Sequence, residues 1–311
     1  MVLSRPVAQP RNKAFSDTPA IMPAASPTIT RFAPSPTGLL HLGHAYSALF
    51  AANHAIAVGG RFLLRIEDID TSRVKAEFED AIFEDLAWLG FEWEQSVRRQ
   101  SDHFDDYENA LKLLEDRGLV YPCFCSRKEI RAEIRNSGAA PHDAADGTEG
   151  PLYPGTCRRL TDAERRRRRE GGEPFALRLD GERAMDITGA LTWFDAEKGD
   201  IDATLDRHGD VVLARKDTPA SYHLAVTIDD HLQGVTLVTR GDDLLSSTHV
   251  HRVLQSLLGL DTPSYHHHRL LTGIDGVRFA KREKSLTIRA LREAGKSPQQ
   301  VRAMAQADGG L

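Results

Sequence analysis

The chain has 311 residues, 41% of them hydrophobic and 27% charged, with a formal net charge of −5. That length supplies a sizeable core and points to two or more domains, and the balance is that of an ordinary soluble protein. No apolar run is long enough to span a bilayer as a helix, and the mild acidity leaves any nucleic-acid binding to a local basic face.

Residues 1–27 are rich in Pro, Ala, Ser and Thr, show no periodicity and lack the apolar stretch of a secretory signal. A disordered tail is expected there. Order begins with TITRFAPS (28–35), a strand-like run ended by prolines. Leu39 to Val58 reads as a helix rich in small residues, stopped by Gly59-Gly60. RFLLRIEDID (61–70) is a second strand, acidic at its end. Strand, helix, strand at this spacing predicts a parallel βαβ unit, in which ligands gather at the carboxyl ends of the strands. Helices are expected at 73–90 and 101–117, and a loop at 137–150. EPFALRLD, LTWFD and VVLARKD (within 173–217) read as an antiparallel insertion. Residues 220–244 restore the α/β pattern. A helix is expected near 246–259, a loop over 265–285 and a short helix over 286–304.

The chemistry-bearing residues fall in four places. In PSPTGLLHLGH (34–44), His41 and His44 stand three apart at the start of a helix. A helix N-terminus attracts phosphate, although such a pair also occurs as plain packing. Lys281 and Lys284 in KREKS (281–285) follow Asp275-Gly276 on a loop, either a solvated charge cluster or a clamp for a triphosphate. Cys123, Cys125 and Cys157 are too few for a disulfide framework and suit a reducing compartment, the cytoplasm. Three thiolates close in sequence suit a structural Zn²⁺ or simple burial, with His142 a candidate fourth ligand. Arg165–Arg169 follow a Thr161-Asp162 helix start and would point all round a helix, so they cannot all face one partner; they read as a solvated helix or, for some of them, an RNA-backbone contact.

The turn 34–44 resembles the HIGH signature of the class I aminoacyl-tRNA synthetases, and KREKS resembles their KMSKS loop. RFAPSPTGLLHLGHA, LLRIEDIDTSR, ASYHLAVTIDDHLQGVTLVTRGDDL and RLLTGIDGVRFAKREKS are similar, in order, to blocks of the glutamyl branch, covering residues 28 to about 305. The resemblance implies an α/β fold: a Rossmann-like parallel sheet of class I synthetase type, a zinc-bearing insertion domain and a short helical C-terminal end. The corresponding division is a tail (1–27), a first catalytic half (28–118), the insertion (119–217), a second catalytic half (218–272) and the KMSKS-like loop with a helical segment (273–311). It implies His41, His44 and Lys284 as catalytic residues, with Gly43 and Lys281 joining them around ATP and its Mg²⁺. It implies Arg31, Phe32, Ala33, Pro34, Ser35, Glu67, Tyr222 and Arg240 around L-glutamate. The family pattern C-x-C…Y-x-x-x-C adds Tyr153 to Cys123, Cys125 and Cys157 as zinc ligands.

Only 26 residues follow Ser285, too few for the large helical anticodon-binding region of a full glutamyl-tRNA synthetase. The resemblance is therefore to the short paralogues of that branch, which activate glutamate with ATP and attach it to the queuosine base at the wobble position of tRNA(Asp). Two alternatives stand beside it: a truncated synthetase charging the 3′ end of tRNA(Glu), and a non-catalytic paralogue that binds a nucleotide or tRNA. Nothing demands more than a monomer, and no membrane partner is expected.

Overall fold

A computed structural model describes residues 27–136, 152–271 and 287–309. β1 (Ile29–Phe32) is buried throughout and leads through the proline turn into α1 (Leu42–Ile56). Ala48, Ala51, Ala52 and Ala55 are among the buried residues of α1. Their small size lets the helix approach the strand closely enough for Thr30 Oγ1 to donate to the Ala51 carbonyl at 2.8 Å. The turn after α1 needs both of its glycines. Gly59 has φ +67°, and a Cβ on Gly60 would lie 2.2 Å from the Thr28 carbonyl.

β2 (Arg61–Ile66) runs parallel to β1, from Ile29 opposite Arg61 to Phe32 opposite Leu64. Its alternation defines two faces. Phe62, Leu64 and Ile66 pack with α1, whereas Leu63 joins Ile29 and Trp193, and Arg65 meets Asp229 and Asp230 on the other side. α2 (Ala76–Trp88) and the two-residue β3 (Arg98–Arg99) follow, β3 parallel to β2. Next come α3 (Phe104–Asp116), β4 (Val120–Cys123), α4 (Arg127–Asn136) and α5 (Asp162–Glu170). β5 (Ala176–Leu179), α6 (Gly181–Thr188), β6 (Thr192–Asp195), β7 (Gly199–Asp202) and β8 (Val212–Ala214) complete the middle of the chain. α7 (Tyr222–Leu232), β9 (Leu237–Gly241), α8 (Ser247–Leu258), β10 (Ser264–His268), α9 (Ile288–Glu293) and α10 (Pro298–Gly309) close it.

β9 and β10 are parallel, from Leu237 opposite Ser264 to Gly241 opposite His268. The two parallel sheets meet where β9 lies beside β1. The Thr236 amide donates to the Ile29 carbonyl at 3.0 Å, and Arg31 Nη1 donates to the Thr239 carbonyl at 3.1 Å. Both contacts advance in the same direction, so the strands run alike. The order β3-β2-β1-β9-β10 thus reverses at β1, and the crevice at such a switch point is where open α/β sheets bind ligands. α1, α9 and α10 share one core, whereas α3, α7 and α8 share another, so both faces of the sheet are covered.

Three expectations need correction. LTWFD does form a strand, β6, but not in the antiparallel insertion: it pairs in parallel with β10 through Asp195 opposite Tyr265, and antiparallel with β7. The antiparallel sheet proper is β4-β5-β8. Residues 265–268, expected in a loop, belong to the fully paired β10. The last helix is two, because Gly295 at φ +79° and Pro298 interrupt it. The tail up to residue 26 and the expected loop at 137–150 lie outside the described residues. No helix among the described residues is long and apolar enough to cross a membrane.

Candidate active site

A cavity of about 380 Å³ opens at the carboxyl ends of β1, β2, β9 and β10. It brings together Arg31, Phe32, Ala33, Pro34, Ser35, His41, Gly43, His44, Glu67, Tyr222 and Arg240, every expected ATP or glutamate residue that is described. Lys281 and Lys284 lie outside the described residues. The segment that carries them is flanked by placed residues. Leu271 lines the cavity, His41 and Thr287 form an antiparallel bridge, and the Ile288 amide donates to the Leu40 carbonyl at 2.9 Å.

His41 caps α1. Its Nδ1 accepts from the Gly43 amide at 3.1 Å, and His44 Nδ1 accepts from the His41 amide at 3.2 Å. The two rings stack with centroids 3.8 Å apart. This reciprocal cap fixes the chemistry of both imidazoles. A ring that accepts at Nδ1 and is neutral carries its proton on Nε2. Burial lowers both pKa values, that of His44 to about 3 with the charge of His41 adding to the effect. The pair therefore presents two neutral Nε2–H donors beside the positive end of α1. Gly43 has little room for a side chain, since a Cβ would sit 3.1 Å from the His41 ring.

The opposite wall is charged. Arg31 and Arg65 both grip Asp230, at 2.9 and 2.7 Å. Burial works against ionisation of Asp230, but the two guanidinium groups outweigh it and hold the pKa below the ordinary value. Asp229 accepts from Arg98 Nε at 2.7 Å, Gln100 Nε2 at 2.8 Å and the Tyr107 hydroxyl at 3.0 Å. Arg31, expected to meet a substrate carboxylate, is thus already engaged with Asp230 and the Thr239 carbonyl, leaving one N–H on each terminal nitrogen without a partner among the described residues.

Glu67 and Arg240 differ from these neighbours. Among the described residues the nearest cation to the Glu67 carboxylate is Arg65, at 3.6 Å. Burial raises its pKa to about 7 against the pull of Arg65 and Arg31. Arg240 is 6% exposed. Its Nη1 donates to the Tyr222 hydroxyl and lies against His251 Nδ1, both at 3.2 Å. Its Nε donates to His267 Nε2 at 3.1 Å, and its Nη2 donates to Thr248 Oγ1. The cavity therefore offers a carboxylate only loosely paired with Arg65, at 3.6 Å, and a guanidinium held by neutral groups, suited to a molecule with both an ammonium and a carboxylate. Sequence reading missed His251, His267 and Asp195, although the run His266–His268 was a visible signal.

A second cluster lies in the lobe around β4. The sulfur atoms of Cys123, Cys125 and Cys157 lie within 4.8 Å of one another and could hold a metal ion. The Tyr153 hydroxyl stands 3.4 Å from Cys123 Sγ and 3.5 Å from Cys125 Sγ, and the Phe124 amide donates to Cys157 Sγ at 3.4 Å. His142 lies outside the described residues. α5 covers this lobe with three of its five arginines. Arg165 lies over Tyr121, Arg168 over Phe124 and Arg169 over Phe175. Spaced i, i+3 and i+4, these three share one helix face, and Arg166 and Arg167 point to solvent.

A parallel sheet with a switch-point cavity is shared by many α/β folds, and with paired histidines at the start of α1 it is the arrangement expected of a class I tRNA synthetase catalytic domain. Residues 28–307 match the family model of the tRNA synthetases class I (E and Q), catalytic domain. The glutamyl-Q tRNA(Asp) synthetase of Rhodobacter capsulatus is 47% identical over 279 residues, covering 88% of this chain and 98% of that protein. That of Symbiobacterium thermophilum is 42% identical, covering 87% and 83%. The solved glutamate-tRNA synthetase of Elizabethkingia anophelis superposes with a TM-score of 0.68 at 28% identity; the match covers 87% of this chain but 54% of that one. The chain belongs to the class I tRNA synthetases (E and Q), in the branch of the glutamyl-Q tRNA(Asp) synthetases.

Proposed function

We propose that this chain activates glutamate with ATP and transfers the glutamyl group to the queuosine base at the wobble position of tRNA(Asp). The observation that carries the reading is the pair Glu67 and Arg240 in one cavity with the His41–His44 donors. The substrate ammonium meets Glu67. A carboxylate meets Arg240 and Tyr222, with Arg31, Ser35 and the backbone of Phe32, Ala33 and Pro34 completing the wall. An oxygen of the α-carboxylate attacks the α-phosphorus of ATP, the bond to the bridging oxygen breaks, and pyrophosphate leaves with the electron pair. Negative charge grows on the phosphoryl oxygens, where His41 and His44 donate from Nε2. Lys281 and Lys284 are assigned to the triphosphate by the family resemblance. Mg²⁺ supplies charge neutralisation on the phosphates. A ring hydroxyl of queuosine then attacks the acyl carbon and AMP leaves.

The three thiols and the Tyr153 hydroxyl fit a structural Zn²⁺, for which a closed shell of four ligands is usual. Bound there, the ion would tie β4 to the turn at Cys157 within the lobe built on the β4-β5-β8 sheet.

The names of the relatives support queuosine in tRNA(Asp) as acceptor. A glutamate–tRNA ligase of Aquifex aeolicus, 38% identical over 273 residues, keeps the 3′ end of tRNA(Glu) as the second reading. The test uses ATP, radiolabelled glutamate and queuosine-containing tRNA(Asp), with tRNA(Glu) in parallel. Label in the anticodon-loop fragment of tRNA(Asp) is expected. Label on the terminal adenosine of tRNA(Glu) alone would overturn the proposal.

A further inference from the structure

Three arginines are buried among the described residues: Arg31, Arg65 and Arg240. The first two lie directly on Asp230. Among the described residues Arg240 has no carboxylate in direct contact, which is costly for a buried cation unless something else compensates. Its side chain is instead ringed by Tyr222, Thr248, His251 and His267. An anion does stand nearby, one ring further out. Asp195 Oδ2 lies 2.7 Å from His267 Nδ1, and both side chains are fully buried.

The sheet builds this row. Asp195, His267 and Arg240 lie on the adjacent strands β6, β10 and β9, with His267 directly opposite Arg240 in register. Asp195 is pinned by four donors: the backbone amides of Glu197, Lys198 and His267, at 3.0–3.1 Å, and the His267 ring. A carboxylate accepting from Nδ1 places the imidazole proton there, so Nε2 keeps its lone pair, which faces the Arg240 Nε–H at 3.1 Å and the Thr248 hydroxyl at 3.2 Å. Burial, with the charge of Arg240 adding to it, lowers the His267 pKa to about 4, which keeps the ring neutral.

We propose that His267 and Asp195 are positioning residues of the amino-acid pocket: the imidazole holds Arg240 in place while keeping its counter-anion one ring away, so that the guanidinium charge is left for the substrate carboxylate. The inference rests on the glutamate reading above. A carboxylate at position 267 would hold Arg240 equally well and occupy the same charge. A neutral acceptor backed by a remote anion holds it without that competition.

The test is glutamate-dependent ATP–pyrophosphate exchange by the full chain, comparing the wild-type protein with His267→Gln, His267→Met and Asp195→Asn, each checked for a cooperative melt. Gln can keep an acceptor near the Nε2 position, and Met has similar length without one. We expect H267M to raise KM for glutamate about tenfold, with KM for ATP and kcat within about twofold, and H267Q to recover most of the loss. D195N frees the imidazole tautomer and should resemble H267M. Equal glutamate KM values in H267Q and H267M, or a loss confined to kcat, overturn the proposal. If H267M does not fold, D195N carries the comparison, and a wild-type KM in it is equally fatal. Absence of glutamate-dependent exchange in the wild-type protein is a different failure: it removes the functional reading itself, and this inference with it.

Discussion

At the scale of single residues, Glu67 and the histidine pair make opposite demands on protons. Burial holds Glu67 near neutrality, at about 7, so it loses its charge as the pH falls through that value. An ammonium needs the charged form. The expected outcome is that kcat/KM for glutamate falls about tenfold per pH unit below 7, while KM for ATP stays flat; initial-rate exchange across pH 5.5–8.5 measures both. In E67Q the slope should vanish and kcat/KM should be low throughout. His44 behaves differently, because its ring is neutral at any pH above about 3. Replacing it with alanine removes one phosphate donor and should cost about 10²–10³ in kcat. The same change removes half of the reciprocal cap on α1, so the melting temperature should fall as well.

Elements explain what the sequence could and could not reveal. β1, α1 and β2 were legible because an apolar strand, an alanine-rich helix and a pair of glycines each carry a local signature. β6 was legible as a strand but not in its place. Alternation in LTWFD fits any half-buried sheet, and its partner Tyr265 is 70 residues away along the chain. β10 was hidden because three successive histidines lack a strand-forming pattern. Their burial comes from tertiary partners: His266 and His268 pack around Phe50 of α1, and His267 turns to Trp193 on the other face. α5 shows the same limit for charge. Five consecutive arginines read as one basic run, yet Arg168 also pairs with Glu173. Arg168→Ala should therefore destabilise the cysteine lobe by about 1 kcal/mol, whereas Arg166→Ala should leave its melting unchanged within about 0.5 kcal/mol. Calorimetry of the two variants, before and after treatment with a zinc chelator, separates the contribution of α5 from that of a bound metal.

Across the whole molecule, one buried acid stands apart from all these networks. Asp85 on α2 is 0% exposed, and neither of its oxygens has a hydrogen-bond partner. Burial raises its pKa from the ordinary 3.8 to about 6. The folded chain therefore binds this proton more tightly than the unfolded chain does. Its contribution to stability is complete below about pH 4 and is lost as the pH rises to 6. Asp85→Asn should melt at least roughly 3 °C above the wild-type protein at pH 8, with the gap closing at pH 4 in thermal scans. The largest-scale feature is the seam between β1 and β9, which joins Ile29 to Thr236 across 207 positions of the chain. A ribosome adding about 5–20 residues per second makes the histidine turn roughly 10–40 s before it makes Arg240. For that interval the nascent chain carries Arg31 and Glu67 but neither β9 nor Arg240, so the wall of the amino-acid pocket is incomplete. The cavity takes its full lining only once β9 has closed the seam, since Thr239, Arg240 and Gly241 form part of its wall.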